Sequence, residues 1–318
     1  MLHFHSTKQH TKVKNRLQPF IIALVVTCMC LVHPSVQAQT AANKPGIFYA
    51  VTGNGLKDTS WLFGTHHLVK SSYLDGMPVV KKAFDKAKGV LVEIIMDESA
   101  QQLAQKASLM QNNTLKALLE KPFADSLDAE LKAELGVGIE QLNQLKPISV
   151  MVGLSMQYAT KYNDGQIATY TGLPLDLNFV AEGKKSGKDI GALETLASQM
   201  DLLFNTLSEA NQVNTLKVFL RNKEMARQEG NKLLAAWFKQ DLEGLYGVIE
   251  RSRALYGMGD NDYYYLMNDA RNINWMKKLP GLLAQQSQFV AVGALHLMGP
   301  NGLVEQLRKQ GYTVTPIQ

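Results

Sequence analysis

The run "GVLVEIIM", Gly89–Met96, limits the folds open to this chain more than any other stretch. It holds a single charge, Glu93, among glycine and apolar side chains. A strand with one wet face alternates apolar and polar residues, whereas a strand covered on both faces reads as an unbroken apolar run. Just before it, "MPVVKKAFDKAK" spaces Val79, Val80 and Phe84 for a helix, with Pro78 near the start. Further upstream, "IFYAVTG" (Ile47–Gly53) and "SWLFGTHHLV" (Ser60–Val69) read as strands of a hairpin, joined through an Asn-Gly turn. Strand, helix, strand in succession implies a crossover unit in a sheet with helical cover.

The rest of the chain extends this pattern. From Asp97 to about Lys161 the periodicity is mostly helical, with a break at Gly136–Gly138. "LPLDLNFVAEGKKSGK" reads as a helix, "KDIGALE" (Lys188–Glu194) as a short strand, and Thr195 to about Arg253 as helical. "NDYYYLMNDARNINWMKKL" gives one more helix, its tyrosines Tyr263–Tyr265 being packing residues. "SQFVAVGALHL" is a strand, "GPNGLVEQLRKQGY" a helix and "TVTPI" a closing strand. The expectation is an α/β fold: a central mixed β-sheet flanked by helices, with a large helical insertion or cap over roughly 97–280. Residues 47–318 form one domain in this reading.

The first 38 residues stand apart. Lys8, Lys12, Lys14 and Arg16 form a basic leader, the 13-residue apolar run Phe20–Val32 follows, and Val36-Gln37-Ala38 offers small residues for cleavage. This is the anatomy of a secretory signal, too short for a comfortable membrane span. The expected mature protein is secreted or periplasmic, with residues 39–46 as a flexible lead-in. Of 33 Lys and Arg residues, four leave with the leader, so 29 face 28 Asp and Glu. That near-neutral balance argues against a nucleic-acid partner. Cys28 and Cys30 leave as well, which removes thiol chemistry from residues 39–318.

Histidine usage then singles out two places. Residues 39–318 contain only His66, His67 and His296. All three fall in two Gly-x-x-His-Leu stretches, Gly64–Leu68 and Gly293–Leu297. The matched spacing pairs His67 with His296. On a regular strand His66 looks to the opposite face from His67. Imidazole can ligate a metal or move a proton near neutral pH. A hydrolytic metal site also wants a carboxylate, and Glu93 is costly to bury unless paired or metal-bound. Asp176 and Glu194 are further carboxylates, though each alone reads as an N-cap or surface residue. Arg271 and Asn272, alone, read as a solvated helix face. No nucleophile elbow, His-Glu-x-x-His helix or phosphate loop is present.

Taken in order, "LFGTHHL", "VLVEI", "LPLDLNFVAEGKKSGKDIGALETLASQ", "ARNINWM" and "VAVGALHLMGPNGLVEQLRKQGYTV" resemble the TraB/GumN family. That family is related to the Tiki proteases and, more distantly, to erythromycin-esterase-like and ChaN-like proteins. The resemblance spans roughly Ile47 to Ile317. It implies a metal-dependent hydrolytic centre built from His67, His296 and Glu93, with a divalent ion of the manganese, cobalt or zinc kind. Asp176, Glu194, Arg271 and Asn272 also fall on family positions, and Gln199 belongs to the same middle block. His66 departs from the family's usual apolar residue and is a candidate extra ligand. The leading expectation is a metal-dependent hydrolase, a peptidase above all, with Glu93 or Asp176 as the base. If Glu93 is a ligand, Asp176 or Glu194 takes that role. A metal-free esterase-like hydrolase with a histidine base is the alternative. A non-catalytic protein that binds a peptide, haem or metal is the third reading.

Overall fold

The computed structural model describes residues 46–96, 98–256 and 264–318. The expected signal peptide, most of the lead-in, and Tyr263 lie outside the described residues.

Six strands form one sheet: β1 (Phe48–Gly53), β2 (Ser60–Thr65), β3 (Gly89–Val92), β4 (Asp189–Ala192), β5 (Gln288–Gly293) and β6 (Tyr312–Pro316). Their order across the sheet is β4-β3-β5-β2-β1-β6. The first four in that order run parallel, while β1 lies antiparallel to both β2 and β6. The sheet is therefore mixed, as the sequence implies. Every residue of β2 and β3 is buried, the condition for an unbroken apolar run. The hairpin turn places Asn54 and Gly55 at φ of 46° and 80°, a left-handed conformation that Asn-Gly accepts at little cost.

Helices cover the sheet. Phe179 of helix Leu175–Lys185 meets Phe289 of β5 at 4.8 Å between ring centroids, and Phe84 of helix Pro78–Lys86 at 5.5 Å. The Trp237 indole, fully buried near the end of helix Lys223–Phe238, donates to the Gly64 carbonyl at 2.9 Å. The helical middle keeps apolar clusters of its own. One joins Leu127, Leu131, Leu154, Tyr158 and Leu216, and another joins Ile148, Val152, Met200, Phe204 and Met267. Buried charges there are paired: Arg227 reaches Glu130 and Glu134 at 2.7 and 2.8 Å, between the rings of Tyr158 and Tyr162. Among the described residues no helix is long and apolar enough to cross a membrane.

Several expected strands are shorter than the sequence suggests, among them β4, which spans Asp189–Ala192 rather than Lys188–Glu194. β2 ends at Thr65 rather than Val69, and β3 at Val92 rather than Met96. β5 stops at Gly293, and a 3-10 turn, Ala294–Leu297, carries His296. The apolar pattern runs past each strand because the connecting segments are themselves packed against the core. The helix expected over Asn261–Leu279 begins outside the described residues, and from Tyr264 on it is interrupted by a π-helix over Tyr265–Asp269 before helix Ala270–Trp275.

Candidate active site

The short strands bring the candidate residues together. In an open α/β sheet the crevice beyond the carboxyl ends of parallel strands is where ligands bind. His67 follows β2, Glu93 follows β3, Glu194 follows β4 and His296 follows β5. All four parallel strands thus deliver a polar residue to the same edge.

Glu93 is 9% exposed, and both its oxygens are engaged. Oε1 accepts from the Gly293 N–H at 2.8 Å, and Oε2 from Arg271 Nη2 at 2.5 Å. Burial by itself would raise this carboxyl. The Arg271 guanidinium, with His296, His67 and the Gly293 N–H, instead holds it well below the usual carboxylate range. Arg271 comes from the first turn of helix Ala270–Trp275 and spends all five of its donors inside the protein. Nε and Nη2 donate to Glu194 Oε1 at 2.9 and 2.6 Å, and Nη1 donates to the Met267 carbonyl at 3.0 Å. Its guanidinium lies 4.8 Å over the Trp275 ring, whose Nε1 donates to Glu194 Oε2 at 3.2 Å. Gln199 adds donor contacts to Glu194 at 3.0 Å and to Glu93 at 3.4 Å.

His296 is locked by neighbours of both kinds. Arg271 Nη1 sits 3.0 Å from Nε2, and guanidinium can only donate, so Nε2 carries the lone pair. Nδ1–H then donates to Asn272 Oδ1 at 2.7 Å. The Asn272 amide is oriented in turn by donating to the carbonyls of His296 and Asn301. Burial pushes the His296 pKa down to about 3, so the ring is neutral.

His67 is placed differently. Its Nδ1–H donates to Asp176 Oδ2 at 2.8 Å, while the Thr65 hydroxyl donates to Asp176 Oδ1 at 2.5 Å. Asp176 stands in the first turn of helix Leu175–Lys185, where a carboxylate suits the helix dipole. Burial would lower the His67 pKa, but the Asp176 charge and hydrogen bond, then Glu93, raise it above the ordinary 6.5. With Nδ1 occupied, Nε2 keeps its lone pair. A methyl group built on Gly293 would stand 3.3 Å from Glu93 Oε1, 3.6 Å from His296 Cδ2 and 3.9 Å from His67 Nε2. The two histidines and the glutamate therefore converge on the bare α-carbon of Gly293.

Four single-residue expectations need correction. Asp176 is no N-cap but the partner of His67; Glu194 is no surface residue but the carboxylate partner of Arg271; and neither Arg271, only 7% exposed, nor Asn272, fully buried against His296, is a solvated helix face. Each partner is distant in the sequence. His66 makes none of these contacts; its ring lies edge-on to Trp237 at 5.9 Å. Thr65 and Trp275 escape the sequence reading. Trp275 lies four residues after Arg271, one helical turn on, and that spacing was the available signal.

The family resemblance implies that this donor set holds a divalent ion. His67 Nε2 fits that role. The His296 lone pair, however, faces a guanidinium at 3.0 Å, and the Glu93 oxygens face that guanidinium and a backbone N–H. A cation between them would meet the fixed positive charge of Arg271, so the arrangement does not fit a three-ligand ion. Among the described residues no group of three or more His, Cys, Asp or Glu side chains is arranged to hold a metal.

The family model for TraB/PrgY/gumN matches residues 47–316. No curated protein and no solved structure matches the chain.

Proposed function

The chain belongs to the TraB/PrgY/gumN family, and on that premise we propose that it is a hydrolase of peptide or ester bonds with His67 as general base. The observation that carries this reading is the Asp176–His67 pair, whose unclaimed Nε2 faces the bare α-carbon of Gly293 beside Glu93 Oε1. Asp176 fixes the tautomer and stabilises the imidazolium that forms when Nε2 takes a proton. A water between Nε2 and Glu93 Oε1 would give its proton to His67 as its oxygen attacks the carbonyl carbon. The same proton then passes to the departing amine or alcohol. Arg271 and His296 have no free donors or lone pairs for this step; they hold Glu93 in place and keep it ionised. In this reading the N-terminal leader directs secretion.

The test is hydrolysis of a panel of fluorogenic peptides and esters by the purified protein and by His67→Ala, with elemental analysis of both. Turnover lost in His67→Ala, unaffected by chelators, supports the reading. Equal turnover in the variant sinks it. Turnover that chelators abolish, with bound metal that disappears in His67→Ala, would move the centre to the metal-dependent chemistry that the family resemblance implies. Tight binding without turnover anywhere in the panel would make the protein a binder.

A further inference from the structure

A cluster of aromatic rings takes Tyr73 and Tyr170 from the two segments next to the His67–Asp176 pair, and Trp237 and Phe238 from the end of helix Lys223–Phe238. Tyr73 stands 5.3 Å from Tyr170, 4.9 Å from Trp237 and 5.5 Å from Phe238, and Tyr170 stacks on Phe238 at 5.5 Å. His66, next in sequence to His67, closes the cluster against Trp237. Trp237 is fully buried, whereas His66, Tyr73, Tyr170 and Phe238 keep part of their surface open. Tyr73 and Phe238 pack against the core beneath them, and the ring surface left open offers a ligand a flat apolar face beside a polar handle.

The backbone makes the cluster one body with the base. Ser71 N–H donates to the Leu173 carbonyl at 2.8 Å, Ser72 N–H to Thr171 at 3.1 Å and Leu175 N–H to Val69 at 3.2 Å. These rungs tie the loop from His66 to Tyr73 onto the loop from Tyr170 to Asp176. Any group resting on the rings is therefore at a fixed offset from His67.

His66 adds a polar handle. Its Nδ1 accepts from the Leu68 N–H at 3.3 Å, so the ring's proton is on Nε2. Among the described residues nothing accepts from that Nε2–H. Burial, with His67 alongside, also pushes the His66 pKa down to about 3, so the ring stays a neutral single donor.

We propose that Tyr73, Tyr170 and Phe238, with the Nε2–H of His66, form the specificity subsite for a flat aromatic or apolar side group of the substrate, with a carbonyl or hydroxyl acceptor next to it. This rests on the reading of His67 as general base. The rings supply the apolar surface and the imidazole supplies one directed hydrogen bond, the combination that orients a small ligand.

The experiment compares paired substrates that differ only in the side group, phenylalanyl against alanyl, in wild type, Tyr170→Ala and His66→Phe. Tyr170→Ala is expected to cut kcat/KM for the phenylalanyl substrate about tenfold through KM, and to leave the alanyl substrate within about twofold. His66→Phe keeps the ring packing and removes the donor, so it lowers kcat/KM for both substrates while retaining the phenylalanyl preference. Equal losses on both substrates in Tyr170→Ala, with the fold intact by circular dichroism, overturn the subsite. Direct binding of N-acetyl-tyrosine amide, followed by tryptophan fluorescence, separates the two claims. Binding that Tyr170→Ala abolishes, in a protein that hydrolyses nothing, retains the subsite and removes the catalytic reading. No binding, in a protein that does hydrolyse, removes the subsite alone.

Discussion

The two Gly-x-x-His stretches have the same spelling and opposite physical situations. In the first, a Cβ added to Gly64 would come within 2.8 Å of the Ala294 α-carbon, so this glycine lets two backbones pass. In the second, a Cβ at Gly293 meets no backbone, only Glu93, His296 and His67 side-chain atoms at 3.3–3.9 Å. The histidines diverge in the same way. His67 has one committed nitrogen and one available, while His296 has both nitrogens committed, to Arg271 and Asn272. A repeated motif thus supplies one imidazole with an open nitrogen and one whose two nitrogens are both engaged.

The harshest way to break that contrast is to remove what both halves share. Arg271→Met leaves Glu93 and Glu194 buried without their counter-charge. Removing one partner of a buried pair costs about 3–5 kcal/mol, and urea denaturation should show that loss together with loss of turnover. A variant as stable as wild type would mean that Arg271 is not the keystone of the site.

Replacing each histidine sharpens the comparison. His67→Ala should lower kcat about 10³-fold, the scale of lost general base catalysis, and leave stability within about 1 kcal/mol because its ring is partly solvated. His296→Ala should instead destabilise the fold by about 2 kcal/mol, since it strands the donors and acceptors around it. Matching stability losses in the two variants would erase the distinction.

The glycines offer a milder version. Gly64→Ala forces backbone apart and should cost about 1–3 kcal/mol. Gly293→Ala should keep the melting temperature and reduce kcat/KM about tenfold, by crowding the space in front of His67. Thermal melts and kinetics on the pair decide it.

The smallest effect is on pH dependence. His66 and His296 both have folded pKa values pushed down to about 3 from 6.5. The unfolded chain binds their protons first, so stability falls as pH drops from 6.5 toward 3. His296→Asn should flatten that fall by about 1.4 kcal/mol per pH unit. His67, whose folded pKa is raised, works in the other direction: its contribution is full below 6.5 and fades as pH rises through the folded value. An unchanged slope in His296→Asn would contradict the buried, neutral state of that ring.

The sheet was legible because its signals are local. The apolar run at Gly89–Val92, the Asn-Gly turn and the closing strand each show within a few residues, and the β2–β3 helix is marked by its own periodicity. The strand ends were not legible, since the residues after them stay apolar to pack against helices. Within the site, histidine scarcity pointed to His67 and His296, and the oddity of a charge in an apolar run pointed to Glu93. The pairings were out of reach. Asp176 stands 109 positions from His67, and Arg271 stands 178 from Glu93. Only the folded sheet makes such residues neighbours, so carboxylates judged singly looked like caps.

The π-helix at Tyr265–Asp269 makes chain length itself a constraint on the chemistry. A wide turn of this kind accommodates one residue more than an α-turn, and each residue rotates a helix by about 100°. Deleting any one position there would keep every functional side chain, yet swing the Arg271 guanidinium roughly a quarter turn away from Glu93 and Glu194. The centre is thus exposed to a kind of damage that a survey of amino-acid identities would pass over.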